Sequence, residues 1–232
     1  MSIIVALASE EEIVLAADSI CGVEEEDCFY CMHDPFSKIH QLPNNPKFAI
    51  GIAGAVYGER ALKSGLATHD DFDKDTDEVF KRMWDTYENG NCRLAFDYVF
   101  CGFDGPGLPR IRRASFYEGF DPNKNKLVPK TDGIIDSKYG RVAVGCRKHG
   151  ALYWMTSLHG LTKPHTNRLL AYFAIQETIR HDKRTRGPVE MMVIRHGADV
   201  EKVGKEELTV LDANYQARRD RIFELLEEPM NS

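Results

Sequence analysis

Two apolar runs lie close to the N-terminus, Ser2-Ile3-Ile4-Val5-Ala6-Leu7 and Glu12-Ile13-Val14-Leu15-Ala16-Ala17, and a polar Ser9-Glu10-Glu11 separates them. Short apolar runs that are bounded by polar turn residues are typical of β-strands. The spacing therefore predicts an antiparallel hairpin, with Asp18 and Ser19 ending its second strand. Further strands are predicted at 38–42, 48–53, 94–103, 110–117, 141–144, 189–195 and 199–203.

Helical periodicity occurs between these strands. It predicts helices at 56–67, 74–87 and 162–181, and a last helix that Asp212 caps. In the second of these, Val79, Met83 and Trp84 form an apolar stripe that Asp73 or Asp75 can cap. The polar residues 122–137 predict a loop. Blocks of strands alternate with blocks of helices without a βαβ repeat, which indicates antiparallel sheets with helices outside them.

The composition is that of a globular domain. The chain has 232 residues, 43% of them hydrophobic, and a formal net charge of −6. A chain of this length buries ~70% of its unfolded surface and needs no disulfide or metal to fold. We expect a single domain over residues 1–232 with a C-terminal helical extension at about 212–228. The negative net charge argues against nucleic-acid binding. The chain contains no run of ~18 apolar residues, so no membrane span is predicted.

The cysteines and the N-terminus together predict the cellular compartment. The chain start lacks the basic region and the cleavage pattern of a signal peptide, and the six cysteines are scattered. Reduced thiols in the cytoplasm are therefore expected. Cys28 and Cys31, with Cys21 and His33 nearby, offer soft ligands for Zn²⁺, but the expected second Cys or His pair is missing. We therefore predict neither a metal site nor a cofactor.

Ser2 is the first candidate for chemistry. Removal of Met1, which is normal before a small residue, would leave Ser2 with a free α-amine beside its hydroxyl. An amine with a pKa of ~8 is a usable general base near neutral pH. One residue would then supply both nucleophile and base. The simpler interpretation is that Ser2 is an ordinary start residue.

The order of several segments resembles the proteasome β-type subunits, which are N-terminal nucleophile hydrolases. The likeness covers about residues 2–204, and its segments are Ser2–Leu7, Ile13–Ser19, Lys38-Ile39, Gly51-Ile52-Ala53-Gly54, Gly102-Phe103-Asp104, Val142–Cys146 and Arg180-His181-Asp182 with Thr185. It implies an α+β fold, a four-layer αββα sandwich of two antiparallel sheets. Helices 56–67 and 74–87 are expected on one outer face and helix 162–181 on the other.

The resemblance also implies a role for four residues of the N-terminal third. Ser2 stands where the family has its nucleophilic Thr. Asp18 would orient Lys38 and keep it charged, and Lys38 would lower the pKa of the Ser2 hydroxyl. Gly54 would present its N–H to the developing oxyanion.

Other positions carry over as supporting residues. Asp182 and Thr185 would hold the terminal amine and its water network. Cys146 stands where the family usually has Ser, and a thiol is a weaker hydrogen-bond donor than a hydroxyl. Cys21 and Ile52 fall at pocket positions, and a small apolar pocket there would favour apolar residues before the cut.

The implied function is hydrolysis of peptide bonds in peptides or unfolded proteins through Ser2, once Met1 is removed. A homo-oligomeric ring is expected, with an ATPase as a candidate partner. The apolar side of the extension, with Ile222 and Leu226, would cover a neighbour or the chain's own outer layer. Two alternatives stay open: a non-catalytic subunit of a similar ring, and an N-terminal nucleophile amidase that acts on a small amide.

Overall fold

The computed structural model describes residues 2–19, 22–25, 28–31, 37–42, 45–54, 69–89, 95–137, 140–145, 148, 150–152, 155, 167–182 and 185–227. For 22–25, 28–31 and 222–227 it describes the backbone alone. The helix predicted at 56–67 and the first turn of the one predicted at 162–181 lie outside these residues.

One five-stranded sheet contains both strands of the N-terminal hairpin. Its members are β1 (Ile3–Ala8), β2 (Glu12–Asp18), β10 (Arg141–Gly145), β11 (Val189–Arg195) and β12 (Glu201–Lys202). They pair antiparallel in the order β10-β1-β2-β11-β12, so the hairpin forms the middle of the sheet. The predicted hairpin is confirmed, whereas the strand predicted at 199–203 is only two residues long.

The second five-stranded sheet is also antiparallel. It contains β5 (Ile39–Leu42), β6 (Asn45–Gly54), β7 (Phe96–Phe103), β8 (Pro109–Asp121) and β9 (Lys126–Asp136), in sequential order. A separate ribbon pairs β3 (Gly22–Glu25) with β4 (Cys28–Cys31).

In the described part of the chain, three long helices lie outside the two sheets: α1 (Phe72–Asn89), α2 (Asn167–His181) and α3 (Lys205–Glu227), which packs against α2. Ile3 and Val5 of β1 pack in a cluster with α2, while Ile4 and Ala6 face the second sheet. The apolar stripe of α1 covers the far side of the second sheet. Both faces of β1 are thus buried, which explains why its sequence is continuously apolar. The fold class predicted from the resemblance, two antiparallel sheets between helices, is confirmed.

The loop predicted at 122–137 is wrong, because residues 126–136 form β9 and only 122–125 turn. β9 is the edge strand of its sheet and is mostly exposed or half-buried. It therefore lacks the apolar alternation from which a strand is predicted, and it contains Pro129, which an edge strand tolerates.

Two predicted helix caps also need correction. Asp71, rather than Asp73 or Asp75, caps α1 by accepting the N–H groups of Asp73 at 3.1 Å and Lys74 at 3.2 Å. Asp75 is buried and accepts hydrogen bonds from Asn45 Nδ2 and the His69 N–H, both at 3.0 Å. Asp212 does not begin the last helix, which starts at Lys205.

None of the helices in the described part of the chain is long and apolar enough to cross a membrane.

Candidate functional site

The β1–β2 hairpin brings Ser2 beside Asp18. The register pairs Ile4 with Ala17, so the residue before β1 lies near the end of β2. The Ile3 N–H donates a hydrogen bond to Asp18 Oδ1 at 2.8 Å. Asp18 is fully buried, and Ser2 is 7% exposed. The candidate nucleophile therefore adjoins a residue that is bonded to the buried carboxylate.

Lys38 meets Asp18 from the other sheet. Its Nζ lies 2.7 Å from Asp18 Oδ2, and the two side chains are 3% and 0% exposed. Lys38 precedes β5, and its carbonyl accepts the N–H of Ile52 at 2.8 Å. The ion pair thus connects the end of β2 to the strand pair β5–β6, whose last residue is Gly54.

Burial raises the pKa of Asp18 above its usual range, because an ionised carboxylate loses its hydration there. The Lys38 ammonium opposes that rise, as do the backbone N–H groups of Ile3 and Arg186. The carboxylate therefore relies on Lys38 for its charge. This arrangement holds a cation in the core behind Ser2, at the place where the resemblance expects one.

Two glycines on the cavity that Ser2 lines allow close approaches of the backbone. Gly54 has a φ of +113°, and a Cβ there would lie 2.5 Å from the Ala95 carbonyl oxygen. Gly145 has a φ of +91°, and a Cβ there would overlap the Ser2 carbonyl oxygen. Residues with a side chain rarely adopt such backbone angles. Both positions therefore require glycine for conformation and for space.

A cavity of about 390 Å³ opens beside Ser2 and Gly54. Besides Ser2, five polar side chains line its described part: Asp97, Ser115, Tyr117, Asp132 and Lys148. Ile52, predicted as a pocket residue, is 7% exposed and packs in the apolar cluster under α1. It is not among the described residues that line this cavity, and Cys21 lies outside the described residues. The preference for apolar substrates stays a prediction.

Asp182 and Thr185 are both buried and bond to each other after α2. The Thr185 N–H and Oγ1 both bond to the Asp182 carbonyl oxygen, at 3.1 and 3.0 Å. The next residue, Arg186, donates its backbone N–H to Asp18. The structure thus connects the segment that begins at Thr185 to the buried ion pair. The role of Asp182 and Thr185 in holding the Ser2 amine stays a prediction.

Three further predictions concern residues outside the described part of the chain. Cys146 directly follows Gly145, the last residue of β10, but is not itself described, and neither are Met1 and His33. Among the residues that are described, no group of three or more His, Cys, Asp or Glu side chains is placed to hold a metal ion.

Asp97 is the site residue that sequence analysis missed. Its carboxylate accepts the Ser115 hydroxyl at 2.6 Å and the Gly145 N–H at 3.2 Å. The signal was present in β7, where Val99 and Cys101 on the same face are buried between the sheets. A charged residue in such an apolar alternation indicates a polar contact that the fold supplies.

Comparisons with known proteins bear on the fold alone. No family model matches the chain, and no curated protein matches it. A solved structure, the Anbu (Gly-1) mutant from Hyphomicrobium sp. strain MC1, is similar with a TM-score of 0.70 and 14% sequence identity. The match covers 100% of this chain and 99% of that one. The whole chain therefore shares the fold of Anbu.

Proposed function

We propose that the chain is an N-terminal nucleophile hydrolase that cleaves peptide bonds through Ser2 once Met1 is removed. The observation that carries the proposal is the buried Asp18–Lys38 pair at 2.7 Å, which adjoins Ser2 through the Ile3 N–H. A buried ion pair contributes little to stability compared with apolar packing. Its position beside the Ser2 hydroxyl favours a catalytic role.

The reaction follows from these groups. The Ser2 hydroxyl attacks the substrate carbonyl while its own α-amine, directly or through a water molecule, takes the proton. The Gly54 N–H stabilises the oxyanion, and Lys38 favours the ionised hydroxyl. The amine then returns the proton to the departing amine of the substrate, which leaves an ester on Ser2. Water attacks that ester, with the α-amine again as base, and releases the acid.

The cavity beside Ser2 is the proposed substrate site. Its volume of about 390 Å³ accommodates one or two side chains of a peptide or unfolded protein. We further propose a homo-oligomeric ring in the cytoplasm, with an ATPase as a candidate partner. Light scattering tests the assembly: a mass near one 26.3 kDa chain at micromolar concentration would contradict the ring.

Intact-mass spectrometry of the purified protein tests the chemistry. We expect the mass to fall short of the full chain by one methionine residue. Incubation with a peptide epoxyketone should then add one inhibitor, because that warhead reacts with a hydroxyl and a neighbouring amine together. Peptide mapping should place the adduct on Ser2.

Two variants provide matched controls. Ser2→Ala should lose the adduct, and Ser9→Ala, which changes a hydroxyl in the β1–β2 turn, should keep it. A chain that retains Met1 and takes no inhibitor would favour the non-catalytic ring subunit. Labelling together with hydrolysis of small amides, but not of peptides, would favour the amidase.

A further inference from the structure

Asp97 links the two sheets at the mouth of the cavity. It lies on β7, where the register places it between Ala53 of β6 and Ser115 of β8. Ser115 donates its hydroxyl to Oδ1 at 2.6 Å within the same sheet. The Gly145 N–H, which belongs to β10 of the other sheet, donates to Oδ2 at 3.2 Å.

Both neighbours of Asp97 lead directly to the proposed reacting groups. Gly145 pairs with Ile3 in the β1–β10 register, and it lies so close to Ser2 that a Cβ would overlap the Ser2 carbonyl oxygen. On the other side, Ala53 precedes Gly54. Asp97 therefore contacts the strand that flanks the nucleophile and pairs with the strand that carries the oxyanion donor.

The position of Asp97 makes a purely structural explanation costly. Val99 and Cys101, on the same face of β7, are fully buried between the sheets. Asp97 is half-buried at the edge of the cavity, so its carboxylate loses part of its hydration, and a β-branched apolar residue would pack there without that loss. The two hydrogen bonds offset this loss of hydration. They hold the Ser115 side chain and the Gly145 backbone at the edge of the cavity.

We infer that Asp97 is a positioning residue, which fixes the distance between the Ser2 hydroxyl and the Gly54 N–H by holding Gly145 against the second sheet. The inference rests on the proposed function. This positioning role depends on where the two side-chain atoms that bond to Gly145 and Ser115 lie, and not on the charge of the carboxylate. Recognition of a cationic substrate group by the same carboxylate would require the charge instead, and the variants below separate the two.

The test uses an uncharged peptide with a fluorogenic amide, and the epoxyketone of the same peptide. Asp97→Ala removes both hydrogen bonds and should lower kcat and the labelling rate on the order of 10²-fold, with KM little changed. Asp97→Asn should stay close to wild type, because its amide oxygen accepts the Gly145 N–H and its NH₂ group donates to Ser115. Asp97→Glu keeps the charge but displaces the carboxylate, so it should be slow.

Asp104→Ala is the matched control. Asp104 follows the other end of β7, roughly 23 Å along the strand at ~3.3 Å per residue, and accepts the Leu108 N–H at 2.7 Å. It should leave kcat unchanged. Circular dichroism verifies that each variant folds, and if Asp97→Ala does not, the contrast between Asp97→Asn and Asp97→Glu carries the same test.

The outcomes distinguish the two claims. If wild type neither hydrolyses the peptide nor takes the label, the proposed function fails, and this inference fails with it. If wild type reacts and Asp97→Ala reacts equally fast, only the inference is overturned. Asp97→Asn as slow as Asp97→Ala would overturn it too, because charge and not hydrogen-bond geometry would then matter.

Discussion

Replacing Lys38 by Met should leave the negative charge of Asp18 unpaired in the core. Methionine is similar to the lysine stem in length and removes only the ammonium. Asp18 is fully buried, and without Lys38 its remaining stabilising contacts are the N–H groups of Ile3 and Arg186. Removing one partner of a buried ion pair typically costs ~3–5 kcal/mol of unfolding free energy.

A second estimate comes from protonation. The variant can escape the buried charge by binding a proton on Asp18, whose pKa in the unfolded chain is ~3.9. At 1.36 kcal/mol per pH unit, holding that proton at pH 7 costs ~4 kcal/mol, and at pH 5 only ~1.5 kcal/mol. The two estimates agree at neutral pH.

The sign of the pH dependence follows from proton counting. Between pH 4 and 7, folded Lys38→Met holds a proton on Asp18 that the unfolded chain has released. Stability falls with rising pH wherever the folded state binds more protons. The deficit relative to wild type should therefore grow from pH 5 to pH 7.

Urea unfolding followed by tryptophan fluorescence at both pH values measures this deficit. Lys47→Met is the control, because Lys47 forms a pair of similar length, 2.8 Å, with Asp70, but the side chains are 45% and 67% exposed. Its stability should stay within error of wild type. Adding Asp18→Asn to Lys38→Met should recover most of the loss, because Asn still accepts the Ile3 N–H without a charge.

Equal stability of Lys38→Met and wild type at pH 7, with no growth of the difference from pH 5, would show that Lys38 does not stabilise a buried Asp18 charge. It would mean that the Asp18 charge is solvated or is neutralised by another group.

Two substitutions and a pH series test the site itself. Ser2→Ala should abolish peptide hydrolysis but change the unfolding free energy by only ~1 kcal/mol, the net value of one hydrogen bond; turnover by the folded variant would exclude Ser2 as nucleophile. Gly54→Ala should lower the stability by at least ~1–3 kcal/mol, because Ala at a φ of +113° is strained and its Cβ would also meet the Ala95 carbonyl oxygen, and should slow labelling; a variant equal to wild type in thermal unfolding and labelling would contradict this. The labelling rate should rise with pH up to ~8 as the α-amine loses its proton, and fall at acidic pH as Asp18, with its raised pKa, is protonated. A rate that is flat from pH 5 to 9 would exclude the amine as base.

The central strands were predictable because both of their faces are buried. Ile3 to Leu7 are at most 1% exposed, so every position of β1 is apolar and the run is easy to see. β9 was not predictable, because its side chains face solvent or half-buried surroundings and its sequence contains Pro129 and Gly133. Burial of a strand face requires apolar residues at regular positions, and that pattern is what predicts a strand. An edge strand with little buried surface does not need the pattern.

The residues of the site also differ in how far they could be predicted from the sequence. Asp18 and Lys38 were predicted from the resemblance, and the observed register of the β1–β2 hairpin places Ser2 near Asp18. Asp97 was missed because its bond to Gly145 joins residues 48 positions apart, on different sheets. No local pattern encodes which strands of two stacked sheets face each other. Only the lone charge in an apolar strand marked the position.

The groups proposed to react come from both sheets, and this makes the packing between the sheets part of the chemistry. Ser2 precedes β1 and Asp18 ends β2 in the first sheet, while Lys38 precedes β5 and Gly54 ends β6 in the second. The Asp18–Lys38 pair and the Asp97–Gly145 bond both cross the gap, on either side of Ser2. An apolar core alone would tolerate small sliding of one sheet over the other, whereas a salt bridge and a hydrogen bond are directional and fix one register. A subunit that served only as a scaffold would gain stability from apolar residues at these positions, so the two polar crossings favour the catalytic function over the structural alternative.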